Sequence, residues 1–326
     1  DLVYAVAWQT LSVITGLIAS RAVIADRLLP FGLSLIAGIP AVYAPAAATG
    51  VFLGYFIAPL ESGTFRYTTA LLAIIALRLL ASLSEKLSKK RLLPAIICLF
   101  SSLLTSFLTL RLFNPEITDI FTDACLAAGG AYFISSFFRD YSEISVCLSA
   151  DGLVSLFAFL GIILTGLHPF TYGGISVGHI AALALILTAA KYGGVLSGAV
   201  SGVTAALSLV FSGAPGEVAV IYAFTGVLAG VFSTFGKYAV TAVPLFFGLA
   251  AAALKMSALQ SALCAVEAIL GAALFLAIPR KAGIYLGKLF AARPKLAIPG
   301  GIKKSLEMRL DMAANALGDV SETVEQ

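Results

Sequence analysis

Apolar runs, broken at short intervals by charge, proline or glycine, fill this chain from its first residues to about position 278. A run of about 18 or more apolar residues has the length of a membrane span. Twelve candidate spans read at about 2–19, 29–41, 43–59, 67–83, 93–110, 117–137, 145–166, 175–190, 192–211, 217–234, 238–254 and 258–278. The second and third are parted only by Pro40 and Pro45, and the eighth and ninth only by Lys191-Tyr192-Gly193-Gly194. Each pair is compatible with two short spans, one kinked span or a re-entrant hairpin, so the count is about 10 to 12. The pattern changes at the end, in "SLEMRLDMAANALGDVSETVEQ". Leu306, Leu310, Ala313, Leu317, Val320 and Val324 alternate steps of three and four, which predicts an amphipathic helix with one apolar stripe. No glycine cap closes it.

Composition agrees with this reading. The 326 residues are 60% hydrophobic and 12% charged, with a mean hydropathy of +1.01. The predicted fold class is all-α: a polytopic transmembrane helical bundle followed by a cytoplasmic amphipathic helix. Its expected parts are the bundle over 1–279, a basic juxtamembrane linker over 280–302 and the start of a regulatory helix over 303–326. The chain begins at Asp1 without a charged leader, and further residues are expected at both ends.

Lysine and arginine set the orientation. Lys86, Lys89, Lys90 and Arg91 form one cluster. Arg280, Lys281, Lys288, Arg293, Lys295, Lys303, Lys304 and Arg309 form the stronger one, after the last span. Placing both in the cytoplasm needs an even number of intervening spans, and the pattern supplies eight. Both termini are then cytoplasmic, in the cell membrane. The segment between bundle and helix mixes these bases with Ile284, Tyr285, Leu289, Phe290 and Leu296. It fits ordinary positive-inside flanking or a stretch lying on anionic lipid.

Candidate chemistry is sparse. An ionisable residue inside a span is a functional candidate by default. Glu267, about ten residues from the end of the last span, is the foremost, either as a neutral carboxyl bonded to a neighbouring helix or as a proton or ligand site. Asp123 and Asp151 are candidates nearer span ends, where water reaches and a structural role is expected. Arg78 lies within snorkelling distance of the cytoplasmic surface. His168 and His179 flank an expected external loop and make a weak metal site on their own. Cys98, Cys125, Cys147 and Cys264 read as small buried hydrophobes. No phosphate loop, nucleophile elbow or zinc-protease motif occurs, and nothing suggests nucleic-acid binding. No cofactor is expected. Gly194, Gly198 and Gly202 are spaced by four, as are Gly226 and Gly230. Such faces bring helix backbones together, either inside one bundle or across a homo-oligomer seam.

Four stretches carry a family resemblance: "VITGLIASRAVIADRLLPFGLSLIAG", "GHIAALALILTAAKYGGVLSGAVSGVTAALSLV", "AVIYAFTGVLAGVFSTFGKYAVTAV" and "ALCAVEAILGAALFLAIPRKAG". In this order, and with this tail, the chain resembles the N-terminal membrane region of the stage II sporulation protein E family of endospore formers. The resemblance implies a cytoplasmic region beyond the bundle, leading to a PP2C-type serine/threonine phosphatase domain. That domain would use aspartate-bound manganese to dephosphorylate an anti-anti-sigma factor and so free a forespore sigma factor. The intervening region would engage the tubulin-like division protein at the polar septum. No residue here matches the family's catalytic positions, so this chain is expected to be non-catalytic, with manganese only in the domain that is absent.

The implied role is to anchor, oligomerise and regulate that phosphatase, with bilayer and homo-oligomer as immediate partners. Two other classes remain open on the residues alone. A small-molecule transporter or substrate-capture subunit would suit the paired short spans and Glu267. A multi-span sensor with a different output enzyme would suit the unfinished helix.

Overall fold

A computed structural model describes residues 2–25, 27–57, 63–84, 90–113, 116–142, 150–250 and 257–290. One compact unit runs from Asp1 to Ala292. Residues 291–326, including the expected stripe from Leu306 to Val324, lie outside the described residues, as does Cys147.

Twelve α-helices are present among the described residues. They are α1 (Leu2–Ser20), α2 (Pro30–Gly38), α3 (Ala44–Ile57), α4 (Gly63–Ser82), α5 (Leu93–Phe113), α6 (Ile117–Ser142), α7 (Ala150–Leu167), α8 (Val177–Phe211), α9 (Gly216–Val231), α10 (Lys237–Ala250), α11 (Ala258–Ala277) and α12 (Arg280–Phe290). A two-residue hairpin, β1 (Thr171–Tyr172) with β2 (Ile175–Ser176), joins α7 to α8. Five helices are long and apolar enough to cross a membrane, and shorter apolar helices accompany them. The outer surface is apolar: Leu72, Leu108 and Phe246 are 66%, 72% and 65% exposed. Such a surface needs lipid, not water, as its solvent.

The two ambiguous pairs are both helical hairpins. In the first, Pro30 starts α2 at its first turn, where a missing N–H costs nothing. Pro40 follows its end, and the chain turns into α3. The Tyr55 hydroxyl, near the end of α3, donates to the Leu29 carbonyl at the start of α2 (3.2 Å). The two helices are therefore antiparallel, and every residue of α2 is buried. In the second pair, Gly194 breaks α8 with φ +78 and ψ −163. This positive-φ, extended-ψ region is essentially confined to glycine, and a side chain there would cost about 1–3 kcal/mol. A β-carbon on Gly198 would lie 3.1 Å from that of Ala190, which a straight helix cannot produce. The arm before Gly194 and the arm after it thus fold back on each other.

Opposite ends of the bundle differ in character. One holds the β-hairpin, Arg21, Arg66 and the start of α2. The other holds Arg78, Arg139, Lys191, Lys237 and α12, and is called the basic end. There, cations satisfy carbonyls left over at helix termini. Arg78 donates to the carbonyls of Ile36 and Ile39 at the end of α2. It is turned inward as a cap instead of snorkelling to the surface. Lys237 Nζ donates to the Leu276 and Ile278 carbonyls at the end of α11 (both 2.9 Å). Lys191 Nζ donates to the Ser233 carbonyl (2.7 Å) in a 3-10 turn after α9.

Candidate functional site

The buried charged side chains lie in two clusters among the described residues, at α4–α6 and at α8–α11. The second contains Glu267, on the middle turns of α11 and only 3% exposed. Its Oε1 accepts from the Ser176 backbone N–H (3.0 Å). Its Oε2 shares a hydrogen bond of 2.8 Å with Nδ1 of His179, on the first turn of α8, 88 residues away in sequence. The His179 ring lies 4.9 Å from that of His168 and 5.9 Å from that of Tyr222 on α9. Its Nε2 is buried without a hydrogen-bond partner. The Ser176 hydroxyl donates to the His168 carbonyl (3.2 Å). His168, just beyond α7, is shifted below its ordinary pKa by burial, then by the neighbouring His179, against an opposing pull from Glu267.

One carboxyl thus ties the β-hairpin and α8 to α11. Glu267 bonds a backbone N–H and an imidazole, both at the start of α8. The histidines are not solely loop groups, because His179 belongs to a helix and turns into the bundle. Among the described residues, no group of three His, Cys, Asp or Glu could hold a metal ion.

The first cluster centres on Asp123. Span-end position suggested access to water, yet Asp123 on α6 is 0% exposed. Its Oδ2 is ion-paired with Arg66 and its Oδ1 accepts from the Tyr67 hydroxyl (3.1 Å), both on α4. The Tyr67 oxygen in turn accepts from the Leu29 N–H (2.9 Å), an orphan donor at the start of α2. Tyr55 stacks on Tyr67 with centroids 5.3 Å apart. Arg66 is buried in this pair. The cluster clamps α2, α4 and α6. Asp151 joins neither cluster: it is exposed in the first turn of α7, where a carboxylate favours the helix N-terminus.

The glycine faces meet each other. Gly198 and Gly202 on α8 lie against Gly226 and Gly230 on α9. A β-carbon on Gly226 would fall 2.6 Å from the Gly202 Cα and closer still to the Gly198 carbonyl. These faces therefore pack against each other within the chain. Gly194 makes the turn at the edge of that face, where its carbonyl lies 3.4 Å from a β-carbon built on Gly230. A comparable crossing brings Gly50 and Gly54 of α3 against Val13, Leu17 and Ser20 of α1. Of the cysteines, Cys98 is buried, Cys264 half-buried and Cys125 exposed.

The segment expected as a basic linker begins as α12, which is docked on the bundle. Its Gly283, Gly287 and Phe290 face inward, while Lys281, Tyr285 and Lys288 are exposed. Gly283 and Gly287 sit on Tyr192, beside the Gly194 turn. The Phe290 ring stacks on Phe157 of α7 at 5.5 Å, and its carbonyl accepts from the Ser197 hydroxyl. Two sequence signals announce this: the segment is strongly amphipathic at helical spacing, and Gly283 and Gly287, four apart, favour close approach to another element.

The model of one protein family, "SpoIIE, N-terminal domain", matches residues 2–285. No curated protein and no solved structure matches the chain. What is matched is the N-terminal domain of that family, and its long apolar helices make these residues a multi-pass membrane region.

Proposed function

The chain belongs to the SpoIIE N-terminal domain family, and from that premise we propose that it anchors and regulates a sporulation septum phosphatase in the cell membrane. The observation that carries this reading is the docking of α12. The chain leaves the bundle through a helix fixed to the α8 turn by Tyr192, Ser197 and Phe157. The described chain thus reaches Phe290 in a helix held against the bundle.

On this reading the basic end faces the cytoplasm, in keeping with the positive-inside rule. The bilayer is the partner of the bundle. The division protein and the phosphorylated anti-anti-sigma factor are partners of the segments that follow. Copies associate through lipid-facing surfaces, because the glycine faces are occupied. That association raises the effective concentration of the downstream helices.

The test is localisation of this module, fused to a fluorescent protein, in cells dividing asymmetrically, with its oligomeric state measured in the same membranes. Enrichment at the polar septum as a dimer or larger is expected. Uniform distribution as a monomer would refute both anchoring and association.

A further inference from the structure

A cavity of about 740 Å³ opens at the basic end between α2, α3, α4, α5 and α6. Its size falls in the range of small-molecule sites, roughly 300–1,000 Å³. Ile75, Leu79, Leu93, Ile97 and Phe138 make an apolar wall, and Ser135, Arg78 and Arg139 supply the polar side. Among the described residues, no carboxylate lines it. The Arg78 guanidinium touches the Ile36 and Ile39 carbonyls, and no carboxylate pairs with it among the described residues. Two further cations, Lys90 and Arg91, are exposed one turn before Leu93 on the cavity wall.

We propose that this cavity binds an anionic phospholipid, with the phosphate at Arg78 and Arg139 and an acyl chain along the apolar wall. Three features select this occupant. A half-buried guanidinium without a carboxylate favours an anion. Basic pockets between spanning helices suit lipid headgroups. A free phosphate would leave the apolar wall unused, whereas an acyl chain covers it. Arg78 also caps α2, so headgroup binding would bear on the α2–α3 turn that forms the cavity floor. The site stands independently of the role proposed above.

The test places the full chain in phosphatidylcholine nanodiscs containing a minor fraction of phosphatidylglycerol with a photoreactive acyl chain. Labelled peptides are mapped by mass spectrometry. Labelling is expected within 36–48, 75–82, 93–97 and 135–139, at least about five-fold above that by the matching phosphatidylcholine probe, since one basic contact near the surface is worth about that factor. Arg139→Gln lowers it about five-fold, Arg139→Lys keeps most of it, and excess inorganic phosphate does not compete. Equal labelling by both lipids, no response to Arg139→Gln, or labelling elsewhere would overturn the site. Displacement by inorganic phosphate would also overturn it, by making it a small-anion site.

Discussion

Replacing Asp123 with alanine removes the acceptor shared by Arg66 and Tyr67 and leaves a guanidinium whose side chain is only 9% exposed. Breaking a buried ion pair from one side costs about 3–5 kcal/mol, because the surviving charge is uncompensated. An ordinary hydrogen bond between spanning helices is worth far less, averaging about 0.6 kcal/mol with a ceiling near 1.7. The two accounts are therefore separable by measurement. Replacing both partners, Arg66→Met with Asp123→Leu, removes the charge together with its partner. It should recover all but about 1 kcal/mol, the residue being the Tyr67 hydroxyl left without its acceptor. Reversible unfolding in mixed micelles, followed by circular dichroism, gives the free energies of both single variants and the double. The reasoning fails if Asp123→Ala costs under about 1.7 kcal/mol, or if the double variant is as unstable as Asp123→Ala alone.

Other consequences follow from the same contacts. Gly226→Val should destabilise by about 1–3 kcal/mol or more in the same unfolding assay, since its β-carbon meets backbone of Gly198 and Gly202 instead of a movable side chain. Gly194→Ala should cost about 1–3 kcal/mol through its positive φ and extended ψ, although no neighbouring atom obstructs the new methyl. The depressed pKa of His168 means that the unfolded chain takes up its proton first, so this contribution is intact above the unfolded value of about 6.5 and is lost as pH falls below it. Thermal melts between pH 5 and 8 should show that loss, and His168→Gln should flatten it. Glu267→Ala leaves the Ser176 N–H and the His179 imidazole without their acceptor, so amide exchange at the β-hairpin should quicken while exchange in the α4–α6 clamp stays unchanged.

Most helices were legible because a bilayer demands long apolar runs with internally satisfied backbones, and breaks such as Pro40 and Gly194 interrupt those runs visibly. Hydropathy alone did not decide between a kink and a hairpin at Gly194, since both break a run in the same place. Candidate carboxyls were legible as anomalies: Asp123 and Glu267 stand out in apolar segments. Their partners were not, because Arg66 and His179 sit at helix starts, where a charge in the sequence reads as a loop residue. Only packing brings residues 57 and 88 positions apart into contact. The glycine pattern predicted close helix approach but not whether the approaching helix belonged to the same chain. The docking of α12 rests on two glycines, four apart, under Tyr192; their spacing signals close approach but does not name the partner.

The central claim is that α12, fixed to the α8 turn, couples the bundle to whatever follows it. Under the proposed function it is tested most directly by the phosphatase activity of a longer protein carrying this region, in native membranes, with septal localisation recorded in the same cells. The pair to compare with wild type is Phe290→Ala and Ser197→Ala, which loosen α12 without touching the lipid-facing surface of the bundle. The account predicts normal septal enrichment together with phosphatase activity that no longer follows its normal control. Activity and control unchanged in both variants, with α12 undocked, would contradict it and leave the bundle as a passive tether.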